Sequence, residues 1–152
     1  MKITSHILSL ILFIIFLSIS CSNQQILICA KVIDGDTIVL SNGEKVRLIG
    51  VDTPETKHPQ KPAEYYGKEA TAFTKRMVGG KVVKLKYDVQ RRDEYDRLLA
   101  YVYLMNGTFL NAEIIKQGYG HAYTRFPFKY MEEFKQYEKE ARENKRGLWT
   151  KE

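Results

Sequence analysis

Cysteine is scarce in this chain of 152 residues: only Cys21 and Cys29. Two thiols exclude a disulfide scaffold and a Cys-only zinc site. Proline (4) and glycine (10) are too few and too scattered for a collagen-like or low-complexity chain. No block of one charge sign occurs. The 24 Lys and Arg are interleaved with 18 acids, for a net charge of +6, which excludes a histone-like or arm-like polycation. With 44% hydrophobic and 28% charged residues the chain is not wholly disordered. Its length suits one ordinary domain. The basic excess leaves nucleic acid, anionic lipid and acidic substrates as partner classes.

Long apolar runs are also missing. The longest, Ile7 to Ile19, has 13 residues and is broken only by Ser9 and Ser18, whereas a membrane-spanning helix needs roughly 17–25. Preceded by Lys2 and followed by Ser18 and Ser20, it reads as the apolar part of an export signal over residues 1–20. Cys21 comes next, as at a bacterial lipoprotein processing site, although Ser18 stands where such sites prefer Leu. The favoured reading is a lipidated Cys21 and an envelope-anchored protein. Cleavage releasing a secreted protein and an uncleaved anchor are the alternatives. Residues 21–152 then form a single domain. Loss of residues 1–20 removes Lys2 and no acid, so 23 basic residues face 18 acidic ones, a net of +5. Cys29, within Ile26 to Ala30, reads as a buried core thiol.

Hydrophobic alternation predicts strands over 26–33, 37–40, 45–51, 81–87 and 98–104. Turns are expected at Asp34-Gly35-Asp36, Asn42-Gly43 and Asn106-Gly107. Helical spacing covers 63–77, with Ala70, Phe73 and Met77 inward, and 109–117, with Ala112 and Ile115 inward. A last helix, with Tyr130, Phe134, Tyr137 and Ala141 on one face, ends near Asn144. The order predicts an α+β fold, mainly β: a five-stranded, antiparallel, oligonucleotide/oligosaccharide-binding (OB) barrel with about three packed helices.

The chemistry-bearing residues gather near strand ends. Asp34, Asp36, Asp52 and Glu55 are accompanied by Arg47 on a strand and Arg97 at the end of a polar loop. Singly, each has an ordinary structural reading as a turn, cap or solvated residue. Together they supply what phosphodiester hydrolysis needs. Two carboxylates and a loop carbonyl begin a hard-cation site. A further carboxylate can act on a water. Two guanidinium groups can grip phosphate oxygens bidentately.

Ile33-Asp34-Gly35-Asp36-Thr37 and Val51-Asp52-Thr53-Pro54-Glu55-Thr56-Lys57-His58-Pro59 resemble the two signature segments of the staphylococcal nuclease (thermonuclease) family. Arg47, five residues before Asp52, stands where the family has its first active-site arginine. Asp93 to Arg97, then Leu98 to Tyr103, resemble the segment with the second. Gln117-Gly118, the aromatic-rich stretch to Phe126 and the final Gly147-Leu148-Trp149 extend the resemblance from Ile26 to Trp149.

The resemblance implies a calcium-dependent nuclease acting on DNA and RNA, preferring single strands and leaving 3′-phosphate ends. Asp36 and Asp52 would bind Ca2+ through their side chains, and Thr53 through its carbonyl. Glu55 would act on the attacking water as general base or positioner. Arg47 and Arg97 would hold the scissile phosphate, Tyr95 and Tyr123 would line a nucleotide pocket, and Asp34 would support the metal site by hydrogen bonding. The protein would act as a monomer, touching membrane only through its N-terminus.

Two positions depart from the family. Asp96 replaces a usual Gly before Arg97, and Glu94 replaces a frequent base. Asp tolerates left-handed geometry, but its charge competes with phosphate for Arg97. Tyr130, Phe134, Tyr137 and Trp149 read as packing residues; His58 reads as a solvated loop histidine, with reach into the site as the alternative, and His121 is not assigned as a ligand. Lys57 and Lys61 are either solvated or phosphate contacts. The alternatives to a nuclease are a non-catalytic nucleic-acid-binding OB module at the cell envelope and a surface adhesin on the same scaffold. The complete set Asp36, Asp52, Glu55, Arg47 and Arg97 favours catalysis.

Overall fold

The computed structural model describes residues 27–56 and 62–151. The expected export signal, Cys21, Lys57, His58 and Lys61 lie outside the described residues. Five strands close a barrel in the order β1, β2, β3, β6, β5. They are β1 (Leu27–Asp34), β2 (Thr37–Leu40), β3 (Lys45–Leu48), β5 (Val82–Lys86) and β6 (Leu98–Leu104). The helices are α1 (Gly67–Val78), α2 (Leu110–Lys116) and α3 (Met131–Glu143), followed by a 3-10 turn at Gly147–Lys151. The expected OB barrel with three helices is therefore present.

The barrel forms because alternate strand residues are apolar. Ile38, Leu40, Val46, Leu48, Val83, Ala100 and Val102 are all buried inside it, and their removal from water is the main drive for closure. Ile114 and Ile115 of α2 and Phe134 of α3 extend the same core. Cys29 is a buried free thiol, as expected, and burial pushes it above the ordinary thiol range. Phe134 and Ala141 of α3 are buried, and Phe134 meets Phe109, Phe128, Tyr130 and Tyr137 in one aromatic cluster. These are packing roles, as is that of Trp149, which is buried.

Three features depart from the expected arrangement, and each bears on the site. First, the pairing is not wholly antiparallel: β3 runs parallel to β6, with Val46, Arg47 and Leu48 opposite Leu98, Leu99 and Ala100. This brings Arg47 beside the strand that begins just after Arg97. Second, the predicted third strand is interrupted. Gly50 takes φ +73°, so the chain leaves the barrel after Leu48 and resumes as β4 (Val51–Asp52). There it pairs with an unforeseen strand, β7 (His121–Ala122), with Asp52 opposite His121. Asp52 is thus carried on a separate two-stranded ribbon. Third, the first helix starts at Gly67 rather than near Ala63, because Tyr66 takes a left-handed φ of +67° and Glu64 is engaged elsewhere.

One buried polar side chain joins these parts. Asn111 of α2 accepts the Val102 N–H at 2.9 Å and donates to the carbonyls of Ile49 (2.9 Å) and Ala100 (3.2 Å). It supplies the hydrogen bonds that the break after β3 would otherwise leave unmade.

Candidate nuclease site

Asp36 begins the site because the β1–β2 turn points it at the ribbon carrying Asp52 and Thr53. Its carboxylate is almost fully engaged. Oδ1 accepts the Thr37 hydroxyl at 2.9 Å. Oδ2 accepts the Thr53 N–H at 3.0 Å and the Thr53 hydroxyl at 3.1 Å. Arg47 Nη1 lies 2.7 Å from the same oxygen. The guanidinium also donates from Nη1 to the Val51 carbonyl at 2.8 Å and from Nη2 to Asp52 Oδ1 at 3.1 Å. Arg47 therefore bridges the two aspartates from its place on β3.

Asp52 is the more open carboxylate, with half of its side chain exposed. Burial of the rest pushes its pKa up, opposed by Arg47 and reinforced by Asp36. Two carboxylates and the Thr53 carbonyl are hard oxygen donors of the kind calcium takes. Among the described residues no three His, Cys, Asp or Glu side chains converge as a metal cage, so water and substrate would fill the remaining positions. Asp36 already accepts three hydrogen bonds and is ion-paired with Arg47 besides, about the capacity of a carboxylate, so it would ligate only by exchanging one of these partners. The residues fit a calcium site chemically on that condition.

Asp34 directs its hydrogen bonds away from the two aspartates. It accepts the Gly35 N–H (2.9 Å), the Thr71 hydroxyl of α1 (3.1 Å) and the Thr56 hydroxyl (3.2 Å). It ties the Glu55 turn to α1 and so supports the site by hydrogen bonding, one step removed. Glu55 is exposed, and its main-chain N–H donates to Glu64 Oε2 at 2.9 Å.

Arg97 is oriented by its own loop. Asp93 Oδ2 accepts Arg97 Nε at 2.7 Å, while Oδ1 accepts the main-chain N–H groups of Tyr95 and Arg97, each at 3.0 Å. Asp96 takes φ +60° in the glycine-like position. Its carboxylate turns to Arg92 Nη1 at 3.5 Å, and Arg92 is in turn held bidentately by Glu44 at 3.0 and 2.9 Å. The competition expected between Asp96 and phosphate for Arg97 is thus diverted to Arg92. Glu44, Arg92, Asp93 and Glu64 were not singled out in the sequence. Their signal is a partner far along the chain, or a turn whose geometry no local motif reveals.

Two adjoining cavities give the site its shape. One, of about 630 Å³, is lined by Asp34, Asp36, Asp52, Thr53, Glu55 and Glu64. The other, of about 910 Å³, is lined by Tyr95, Tyr123, Phe126, Pro127 and Phe128 among others. Arg47 and Arg97 line both. The fold thus brings together Asp36, Asp52, Thr53, Glu55, Arg47 and Arg97, and places Tyr95 and Tyr123 in the neighbouring aromatic cavity. Arg97 also lies over the Tyr95 ring, 5.4 Å from its centroid.

The sequence model described as Staphylococcal nuclease homologue matches residues 45–151. The chain belongs to the staphylococcal nuclease family. It is 40% identical to a protein named Thermonuclease from Staphylococcus hyicus over 167 aligned positions, covering 98% of each chain. It is 42% identical to a Thermonuclease from Staphylococcus intermedius, over 80% of this chain and 74% of that one. Endonuclease YncB of Bacillus subtilis (strain 168) is 42% identical over 80% of this chain and 60% of its own length. Within this nuclease family the matched segment includes Arg47, Asp52, Glu55 and Arg97, whereas Asp36 lies before it.

Proposed function

We propose that the protein is a calcium-dependent nuclease that hydrolyses DNA and RNA, prefers single strands, and leaves 3′-phosphate ends. One observation carries this reading: Arg47 and Arg97 stand in the wall shared by a carboxylate-rich cavity and an aromatic one. A nucleotide has the matching polarity, with phosphate for the arginines and carboxylates and a base for Tyr95 and Tyr123. An unpaired base enters such a cavity without first leaving a duplex, which favours single strands.

Asp36, Asp52 and the Thr53 carbonyl would hold the cation. Bound calcium supplies positive charge to the phosphate oxygens and the attacking water. Glu55 takes a proton from that water as its oxygen attacks phosphorus. Arg47 and Arg97 bind the nonbridging oxygens, whose charge grows in the transition state. The bond from phosphorus to the 5′ oxygen breaks, and that oxygen takes a proton from solvent water to become a 5′-hydroxyl, while Glu55 returns its proton to solvent. The phosphate stays on the 3′ side. One chain supplies all these groups, consistent with a monomer.

Residues 1–20 are proposed as an export signal and Cys21 as a lipid attachment point, placing the enzyme at the cell envelope. Mass spectrometry of the N-terminal peptide from the native host tests this, and an unmodified Met1 would oppose it. The proposed reaction is tested by end-group analysis of products from heat-denatured and duplex DNA. Faster cleavage of the denatured strand, with 3′-phosphate ends, supports it; 5′-phosphate ends would overturn it. Binding without cleavage by the folded protein would favour the nucleic-acid-binding module instead.

A further inference from the structure

The turn carrying Glu55 is fastened from an unexpected place. Glu64 Oε2 accepts the Glu55 main-chain N–H at 2.9 Å. The Glu64 main-chain N–H donates back to the Glu55 carbonyl at 2.9 Å. These reciprocal bonds join residues nine positions apart and form the neck of the segment between them.

The start of α1 backs onto the same neck. The Gly67 N–H donates to the Glu64 carbonyl at 3.1 Å. A Cβ on Gly67 would come within 2.8 Å of the Pro54 carbonyl oxygen and 3.3 Å of that of Glu55, so no larger residue fits this approach without displacing the turn. On the other side Thr56 is tied to Asp34 at 3.2 Å. Among the described residues, it is the Glu64 side chain that accepts the Glu55 N–H itself.

Glu64 is exposed and lines the carboxylate-rich cavity. A solvated glutamate keeps its rotamer freedom, whereas one bound to a specific N–H gives some of it up. That bond leaves its Oε2 serving the main chain of Glu55.

We propose that Glu64 is a positioning residue for the nuclease reaction. By fixing the main chain of Glu55, it sets the direction in which the Glu55 carboxylate meets the attacking water. Geometric errors of about 1 Å at a reacting group can cost on the order of 10²-fold in rate. The proposal rests on the reading of Glu55 as the group that acts on water.

The test is kcat and KM on a short single-stranded DNA with calcium, for wild type, E55A, E64A, E64Q and the E55A/E64A double variant, with melting temperatures for each. The expected kcat of E64A is about tenfold lower with KM within about twofold, since one neck bond is lost and the binding groups remain. E64Q recovers most of the rate, because its amide oxygen accepts the same N–H. The double variant is no slower than E55A. A wild-type kcat in E64A, an E64Q as slow as E64A, or equal losses from E64A in both backgrounds would overturn the proposal. If E64A melts far below wild type, E64D, one methylene too short to reach, takes its place in the same comparison. A normal E64A beside an inactive E55A defeats this inference alone. A fully active E55A defeats both this inference and the reading of Glu55.

Discussion

Arg47 Nη1 lies 2.7 Å from Asp36 Oδ2, and only about a tenth of the Asp36 side chain and a sixth of that of Arg47 are exposed. The same guanidinium reaches Asp52 at 3.1 Å. In the proposed reaction Arg47 thus has two duties: it offsets one of the two negative charges of the aspartate pair in the free protein, and it would offer a fork to phosphate. Removing one partner of a largely buried pair leaves the other charge uncompensated.

The first prediction follows from that double duty. R47K keeps a charge but loses the fork, and kcat/KM falls by about 10² or more. R47A falls further, yet binds calcium more tightly, because a competing cation next to Asp36 and Asp52 is gone. Steady-state kinetics and calorimetric calcium titration check both halves. Unchanged kinetics in R47K would remove the bidentate clamp, and weaker calcium binding in R47A would remove the competition.

A second prediction concerns the loop that presents Arg97. Asp93 gives one oxygen to Arg97 Nε and the other to two main-chain N–H groups. D93A releases all three, so kcat/KM falls about tenfold or more while the barrel stays folded. D96G, by contrast, suits the φ of +60° at that position and removes only the long contact to Arg92. It is expected within about threefold of wild type. A D96G defect as large as that of D93A would show that Asp96 itself directs Arg97.

Much of this arrangement was legible in the sequence because it is local. β2 and β6 match their expected spans residue for residue, since apolar alternation is set by neighbouring positions. The asparagine and glycine turns likewise carry their own geometry. Asp34-Gly35-Asp36 and the Asp52-to-Glu55 stretch stand out by their resemblance to the family's two signature segments. What escaped is set by partners distant in the chain. β7 exists because His121 and Ala122 find β4, a pairing between two-residue strands with no period to detect. The parallel contact of β3 with β6 depends on barrel closure. Tyr66 in a left-handed conformation breaks the rule that bulky residues avoid it, so the helix begins later than its spacing suggests. Glu64 looked like a first-turn helical residue, yet it lies outside the helix, bound to Glu55.

A third prediction uses acid stability. The Tyr101 hydroxyl foremost, with the Lys129 N–H, holds the Asp88 carboxyl below its ordinary value. A carboxylate with a depressed folded-state pKa adds stability above its unfolded pKa of about 3.9 and loses it as pH falls through the folded value. D88N is therefore less stable than wild type near neutrality, by about 1–2 kcal/mol for a partly exposed charged hydrogen bond. The difference shrinks below about pH 4. Urea unfolding from pH 3 to pH 7 measures it, and a gap that stayed constant across that range would contradict this role for the Asp88 charge.

The most direct test of the central claim is digestion of heat-denatured DNA by the purified protein, in calcium and in a calcium chelator, with E55A alongside. The account predicts rapid cleavage in calcium, loss of cleavage on chelation with recovery when calcium is restored, and a rate at least about 10² lower for E55A. Cleavage that persists undiminished in chelator, or an E55A variant as fast as wild type, would contradict it.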